Sequence, residues 1–310
     1  MHLAAPIRGL RDRWLIVVAD IRQTGDPGTL YVVATPIGNL EDISRRALSV
    51  LSGVALIAAE DTRRTRTLLA ALGLKPPEML ALHDHNEADV SSRVALELEA
   101  GRDTALVSDA GTPLVADPGF ALIGECFSRG LPVAPIPGAS SLICALSVCP
   151  LPIADFSFLG FLPSKSTARR ARLRSKLARG PIVFFEAPHR VADTLRDLAA
   201  LAPERRVFLG REMTKKFESY LSGGALELLG QLESTGALRG EFVLVVEGPQ
   251  EEVSLRQLSI VETMQVLNRQ LPPAQAARIG SELLGVPRRE LYKLTQSSAA
   301  DDGSVEPEPQ

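Results

Sequence analysis

From Thr29 onward, apolar residues gather in short clusters separated by glycine- and proline-bearing turns. Leu30-Tyr31-Val32-Val33-Ala34 is a nearly continuous apolar run that ends in the turn Thr35-Pro36-Ile37-Gly38-Asn39. Such a run is the pattern of a strand buried on both faces of a parallel sheet. Leu40 to Leu51 then carries Ile43, Ala47, Leu48 and Leu51 at helical spacing with Arg45 and Arg46 outward, and strand-like Val54–Ala59 follows. Strand, helix, strand predicts an α/β layer. The alternation continues through helix 63–72, a loop at His83–Asn86, helix 89–100, strand Thr104–Ser108, helix 118–129, strand Val133–Ile136 and helix 139–148. These elements make a first α/β domain over residues 28–151.

A second series reads as strand Phe156–Leu159, a basic helix over 165–178, strand Ile182–Glu186, helix 189–201, strand Val207–Arg211, helix 224–235 and strand Glu241–Glu247. It predicts a second α/β domain over 152–250. Past Pro249, the segment Leu255–Leu267, helix 274–284 behind Pro272-Pro273, and helix 287–295 behind Gly285 predict a small helical, helix-turn-helix-like appendage over 251–296. Residues 1–27, with Arg8, Arg11 and Arg13, are expected to be a flexible extension, and the acidic, proline-bearing 297–310 a disordered tail.

Composition narrows the class. A chain of 310 residues with 45% hydrophobic content exceeds one ordinary core. No window approaches the roughly 18–20 apolar residues of a membrane span, and Leu15–Ala19 is too short for the core of a secretory signal, so the expected compartment is the cytoplasm and no membrane partner is expected. Cys126, Cys144 and Cys149 show no paired short spacing, which suggests neither a disulfide framework nor a zinc knuckle. A formal net charge of -3 means that any nucleic-acid contact has to come from a local patch.

No G-x-G-x-x-G and no G-x-x-x-x-G-K-[ST] occurs, so dinucleotide and P-loop readings fall. In their place stand three turns after strands: Ala34 to Asn39, Ser108 to Gly119, and Pro135-Ile136-Pro137-Gly138-Ala139-Ser140-Ser141. Small, rigid residues after successive parallel strands collect at the carboxyl edge of the sheet, where α/β folds place ligands. Glycine there permits positive φ and close approach of a ligand to the backbone. The same residues also fit ordinary strand-to-helix turns in which Ser140 or Asp117 caps a helix.

Taken together and in order, Ala34-Thr35-Pro36-Ile37-Gly38-Asn39-Leu40, Ala59-Glu60-Asp61-Thr62-Arg63, His85-Asn86-Glu87, Ser108–Gly119, Pro137-Gly138-Ala139-Ser140, Gly160-Phe161-Leu162-Pro163, Phe185-Glu186-Ala187-Pro188-His189-Arg190 and Arg211-Glu212-Met213-Thr214-Lys215-Lys216 resemble the tetrapyrrole methylase superfamily, and within it the branch that modifies RNA. Tetrapyrrole-modifying members have a glycine-rich first turn and Gly-Asp-Pro in the second. Pro36 and Gly111-Thr112-Pro113 stand in those places here, which disfavours a porphyrin substrate. The resemblance implies an S-adenosylmethionine-dependent enzyme that 2'-O-methylates the ribose of a decoding-centre cytidine in 16S rRNA of the small ribosomal subunit, acting as a homodimer. It implies two α/β domains of the tetrapyrrole methylase type with a cleft between them, in which the cofactor lies in a folded conformation against Pro36, Ile37, Gly38, Gly111, Thr112, Pro113, Leu114, Val115, Ala139, Ser140 and Ser141, with help from Glu241.

Methyl transfer to a hydroxyl requires alignment and removal of one proton. Candidate acceptors or orienters are Glu60 and Asp61 with Arg63, and on the second domain Glu186, His189, Glu212 and Lys215. Asp61 equally fits a helix cap and His189 a helix start. Lys165, Arg169, Arg170, Arg172, Arg174 and Lys176, followed by Arg179, are read as an RNA phosphate-tracking patch against a plain solvated face, and Arg288, Arg289 and Lys293 could extend it. His83-Asp84-His85 lacks further clustered ligands, so no metal is expected. Two rivals stand beside this reading: the same chemistry on a small tetrapyrrole or corrinoid, and a non-catalytic RNA-binding assembly protein.

Overall fold

The computed structural model describes residues 25–83, 85–249 and 254–297. The expected amino-terminal extension up to Thr24, Asp84, and the expected tail beyond Ser297 lie outside the described residues.

The first sheet is wholly parallel and contains β1 (Leu30–Val33), β2 (Leu56–Ala59), β3 (Glu78–Ala81), β4 (Thr104–Val107) and β5 (Val133–Ile136), in the order β3-β2-β4-β1-β5. Neighbouring residues along each strand point to opposite faces, and each face is covered. On one, Leu30, Leu56 and Leu106 pack with Val94 and Leu98 of α3 (Glu87–Glu99) and Leu122 and Cys126 of α4 (Phe120–Ser128). On the other, Val33, Ile57 and Ala105 pack with Ala47 and Leu51 of α1 (Arg45–Gly53) and Leu69 of α2 (Thr62–Ala71). The order brings β4, β1 and β5 side by side, so the three ligand-type turns of the sequence emerge from neighbouring strands at one carboxyl edge.

The second sheet is mixed: β6 (Ser157–Phe161), β7 (Ile182–Glu186), β10 (Phe242–Val246), β8 (Arg206–Arg211) and β9 (Ser219–Gly224) lie in that order, with only β6 and β7 parallel. Helices α6 (Ser166–Leu177), α7 (Val191–Leu201) and α8 (Ala225–Ser234) cover one face around Phe184, Leu195, Leu209, Leu228 and Leu244. The other face, with Val183, Phe208, Val243 and Val245, receives Ala145 of α5 (Ser141–Ser147) and Leu151. The expected break near residue 151 therefore falls inside a shared core, and the two sheets belong to one compact unit ending at Gly248.

The remaining described residues form a separate compact unit. In it α9 (Ser254–Gln270), α10 (Pro273–Leu284) and α11 (Arg288–Ser297) close around Met264, Ala276, Ala277 and Leu291. Pro273 opens α10 and Gly285, at φ 65°, ends it, the expected asymmetry of helix termini. No described helix is long and apolar enough to cross a membrane.

Two strands and one break depart from the sequence expectation. β3 and β9 are sheet edges whose mixed polarity hides them. The single helix expected over 40–51 divides into a 3-10 turn at Leu40–Asp42 and α1, because the Ser44 hydroxyl accepts from the Ala47 N–H at 3.0 Å and starts the helix anew.

Candidate functional site

A cavity of about 350 Å³ opens between the carboxyl edge of the first sheet and one end of the second. That volume lies in the range of small-ligand sites. Its first wall is largely backbone. Thr35 and Gly111 exchange two backbone hydrogen bonds, 2.8 and 3.1 Å, which tie the turn after β1 to the turn after β4. The Thr112 hydroxyl donates to the Ala139 carbonyl at 3.2 Å and adds the turn after β5. Gly111 has φ 83° and a Cβ there would stand 3.3 Å from Ile37 Cγ2, so glycine serves both conformation and space. Leu114 and Ala116 hold φ 70° and 73° in the same turn, backbone strain of the kind that collects at ligand sites.

Carboxylates crowd this wall. Glu60 Oε2 accepts from the Asp109 N–H at 3.0 Å, Asp109 Oδ1 accepts from the Asp61 N–H at 3.1 Å, and Arg64 lies 3.0 Å from Asp109 Oδ2. Asp117 lines the cavity as well. Burial pushes its carboxyl up to about 6, assisted by the charges of Glu60 and Asp109 and opposed by a hydrogen bond with Ser108. Asp117 is not a helix cap: Gly119 holds that position in α4, and Glu87 Oε1 caps the helix by accepting from the N–H groups of Gly119 and Ala121 at 2.9 and 2.7 Å. Ser140 does hold the cap position of α5, yet its side chain makes no capping bond and it lines the cavity with Ser141.

The second wall is made by Phe161, Phe185, Glu186, Ala187, Pro188, Met213, Glu241, Phe242 and Val243. Its charged side chains are committed to the scaffold. Glu186, 2% exposed, accepts from the Ala187 N–H at 2.9 Å and the Thr194 hydroxyl at 2.7 Å and lies 3.1 Å from the Arg190 guanidinium. Lys215 Nζ lies 3.0 Å from both Glu212 Oε1 and Glu241 Oε2, and Glu212 Oε1 also accepts from the Glu241 N–H at 3.0 Å. Burial works to raise the Glu212 carboxyl, but these partners outweigh it and hold it below its ordinary value; burial works to lower Lys215, and the two carboxylates outweigh it and raise the amine. The Lys215 stem also seats on Gly38, where a Cβ would collide with Lys215 Cγ, so the two walls touch at a position only glycine permits.

Of the expected cofactor residues, Ile37, Gly111, Thr112, Val115, Ser140, Ser141 and Glu241 line the cavity, while Pro36, Gly38, Pro113, Leu114 and Ala139 belong to its turns without facing it. Of the expected catalytic residues, Glu60 and Glu186 face it. Asp61 is a helix cap: its carboxylate accepts from the Arg63 N–H at 2.8 Å and pairs with the Arg63 guanidinium at 2.9 Å, which holds it far below the usual carboxylate range. His189 is exposed on the turn before α7 and, with Glu212 and Lys215, stands off the cavity. Arg169 is a correction among the RNA-binding residues. It is 4% exposed and pairs with Asp197 at 2.8 Å, so it anchors α6 on α7 and cannot meet a phosphate. Lys165, Arg170, Arg172 and Arg174 are exposed and Lys176 half-buried. The sequence reading left Arg64, Asp109, Asp117, Phe161 and Phe185 out of the site, and offered Asp117 only the alternative of a helix cap. For Asp117 the available signal was its position inside a Gly/Pro-bearing turn that follows an apolar strand.

Among the described lining residues, five carboxylates face one arginine, and two of the five are already neutralised by Arg190 and Lys215. The lining therefore suits a ligand that carries positive charge.

Residues 29–228 match the family model described as Tetrapyrrole (Corrin/Porphyrin) Methylases, and residues 259–297 the model described as RsmI C-terminal HTH domain. Proteins named Ribosomal RNA small subunit methyltransferase I are similar over most of their length. The one from Xylella fastidiosa strain Temecula1 is 47% identical over 270 residues, 86% of this chain and 98% of that protein. The one from Escherichia coli O157:H7 is 43% identical over 269 residues, 86% and 94%. Among solved structures, diphthine synthase matches with TM-score 0.55 at 16% identity over 73% of this chain and 92% of that one. Uroporphyrin-III C-methyl transferase from Thermus thermophilus, complexed with S-adenyl homocysteine, matches with TM-score 0.50 at 18% identity over 72% and 98%. At those identities the structures establish a shared fold.

Proposed function

The chain belongs to the tetrapyrrole methylase family and, within it, to the ribosomal RNA small subunit methyltransferase I group; from that premise we propose that its cavity takes S-adenosylmethionine and methylates the 2'-hydroxyl of a decoding-centre cytidine in 16S rRNA. The observation that carries the reading is the composition of the first wall: backbone and small side chains for a compact ligand, with Asp117 beside them in the same cavity.

Bound there, S-adenosylmethionine supplies a methyl group on a positively charged sulfur, a leaving group that needs no acid. Ile37, Gly111, Thr112, Val115, Ser140 and Ser141 would hold it, and the surplus of carboxylates would favour its charge. Asp117 accepts the proton of the attacking hydroxyl. A carboxyl titrating near 6 is mostly ionised at neutral pH yet basic enough to share a proton in the transition state. Glu60 and Asp109, fixed to the backbone of each other's loops, raise its basicity. Arg170, Arg172, Arg174 and Lys176 on α6, with Lys165 before it, follow the phosphate chain. Arg288, Arg289 and Lys293 give α11 a basic surface suited to the same RNA. The enzyme works in the cytoplasm as a homodimer, for which exposed Ile143, Val148 and Phe156 offer apolar surface.

The test is incubation of the purified protein with methyl-labelled cofactor and small subunits that lack the modification. Label in the 16S rRNA is expected. Its absence, or label on a porphyrinoid offered in parallel, contradicts the reading.

A further inference from the structure

The register of the second sheet contains an irregularity at the cavity. Phe158 pairs with Val183, and the next pairing is Phe161 with Phe185, so β6 spends three steps where β7 spends two. The extra residue is a β-bulge, and Gly160 in it has φ 60°. In an unbroken strand Phe161 would share the face of Leu159, which is buried in the helix-covered core. The bulge turns it over. Phe158 and Phe161 both meet Phe185 edge-on, at ring separations of 5.0 and 5.6 Å, and both Phe161 and Phe185 line the cavity.

Phe161 nonetheless stays 57% exposed, whereas the neighbouring Met213, Phe242 and Val243 are buried. It stands at the lip of the cavity, not on its floor. The chain just after it is clamped: Arg190 Nη2 donates to the carbonyls of Leu162 and Pro163 at 2.5 and 3.2 Å. Four residues after Phe161, Lys165 begins the exposed basic stretch. A rigid, outward-facing ring between a phosphate-binding helix and a reaction cavity has the form of a stacking shelf, because every base presents a π-face and stacking on an aromatic side chain is a general mode of single-stranded recognition.

We infer that Phe161 is the shelf on which the base of the target nucleotide, or its immediate neighbour, stacks once drawn out of the RNA. This sets the ribose toward the cavity. The inference rests on the RNA reading above.

Phe161→Ala and Phe161→Leu should each raise KM for small subunits roughly tenfold or more, the usual size of a lost base stack, while Kd for S-adenosylhomocysteine changes less than twofold. Phe161→Trp should restore KM. A KM unchanged in Phe161→Ala, a Leu variant equal to the native protein, or a matching loss of S-adenosylhomocysteine affinity would each overturn the shelf. Failure of the RNA reading is separately visible, as a native protein that does not label subunits. Direct contact is read without turnover: the chain has one tryptophan, Trp14, so in W14F/F161W the enzyme's only indole is at position 161, and its emission is taken as the difference from W14F mixed with the same subunits. Its emission should be quenched when small subunits bind; unaltered emission with binding intact also overturns the proposal. Thermal midpoints of the variants within a few degrees of native exclude misfolding as the cause.

Discussion

The two walls of the cavity are built on opposite principles. The first consists of turns after three adjacent parallel strands, stitched by backbone hydrogen bonds, with few large side chains and with carboxylates held by main-chain N–H groups. The second is side chains throughout, and its charges form closed pairs: Glu186 with Arg190, and Lys215 with Glu212 and Glu241. A cofactor is the same at every turnover and suits a fixed backbone cradle, whereas an RNA strand has to be met by rings and cations that reach outward. Chemistry on this account belongs to the first wall, and the acids of the second wall are structural.

Four changes would break or sharpen that division, ranked by their effect on methyl transfer. Asp117→Asn should lower kcat by about 10²–10⁴-fold, the usual contribution of a positioned general base, with calorimetric affinity for S-adenosylhomocysteine retained. In the native enzyme, Asp117 is protonated below about pH 6 and ionised above it, so kcat should rise as pH increases through that value; a flat profile from pH 5 to 8 would remove Asp117 from the proton step. Gly111→Val forces a β-branched residue to φ 83° against Ile37 and should weaken cofactor binding by about 100-fold or more, measured by the same calorimetry. Arg170, Arg172 and Lys176 replaced together by glutamate should weaken RNA binding about tenfold and flatten its salt dependence, read from filter binding at several ionic strengths. Glu186→Gln should cost roughly 2–4 kcal/mol of stability by leaving Arg190 poorly compensated, with kcat per folded molecule close to native. A stable Glu186→Gln protein with collapsed kcat would move catalysis to the second wall.

The pattern of the chain carried much of the fold because central strands such as β4 and β7 are buried on both faces and read as unbroken apolar runs. β3, Glu78–Ala81, and β9, Ser219–Gly224, escaped for the complementary reason: as edges they keep partial exposure and a polar or glycine-rich sequence. The ligand turns were legible as glycine and proline after strands. What one sequence cannot display is which charge meets which. Arg169 looked like its exposed neighbours on α6, and only Asp197, 28 residues away, makes it a buried anchor. Asp117 fitted a helix cap as well as a ligand turn, and only Glu87, 32 residues before Gly119, removes the first option by capping α4 itself. The bulge that turns Phe161 outward depends on β7, a strand more than 20 residues further along, and no local pattern announces it.

The most direct test is to digest 16S rRNA methylated by the purified enzyme to nucleosides and identify the product by mass spectrometry, comparing native protein with Asp117→Asn. The account predicts 2'-O-methylcytidine as the product, formed at rates that fall by at least 100-fold in the variant while cofactor binding persists. A base-methylated nucleoside, or equal rates in the two proteins, would contradict it.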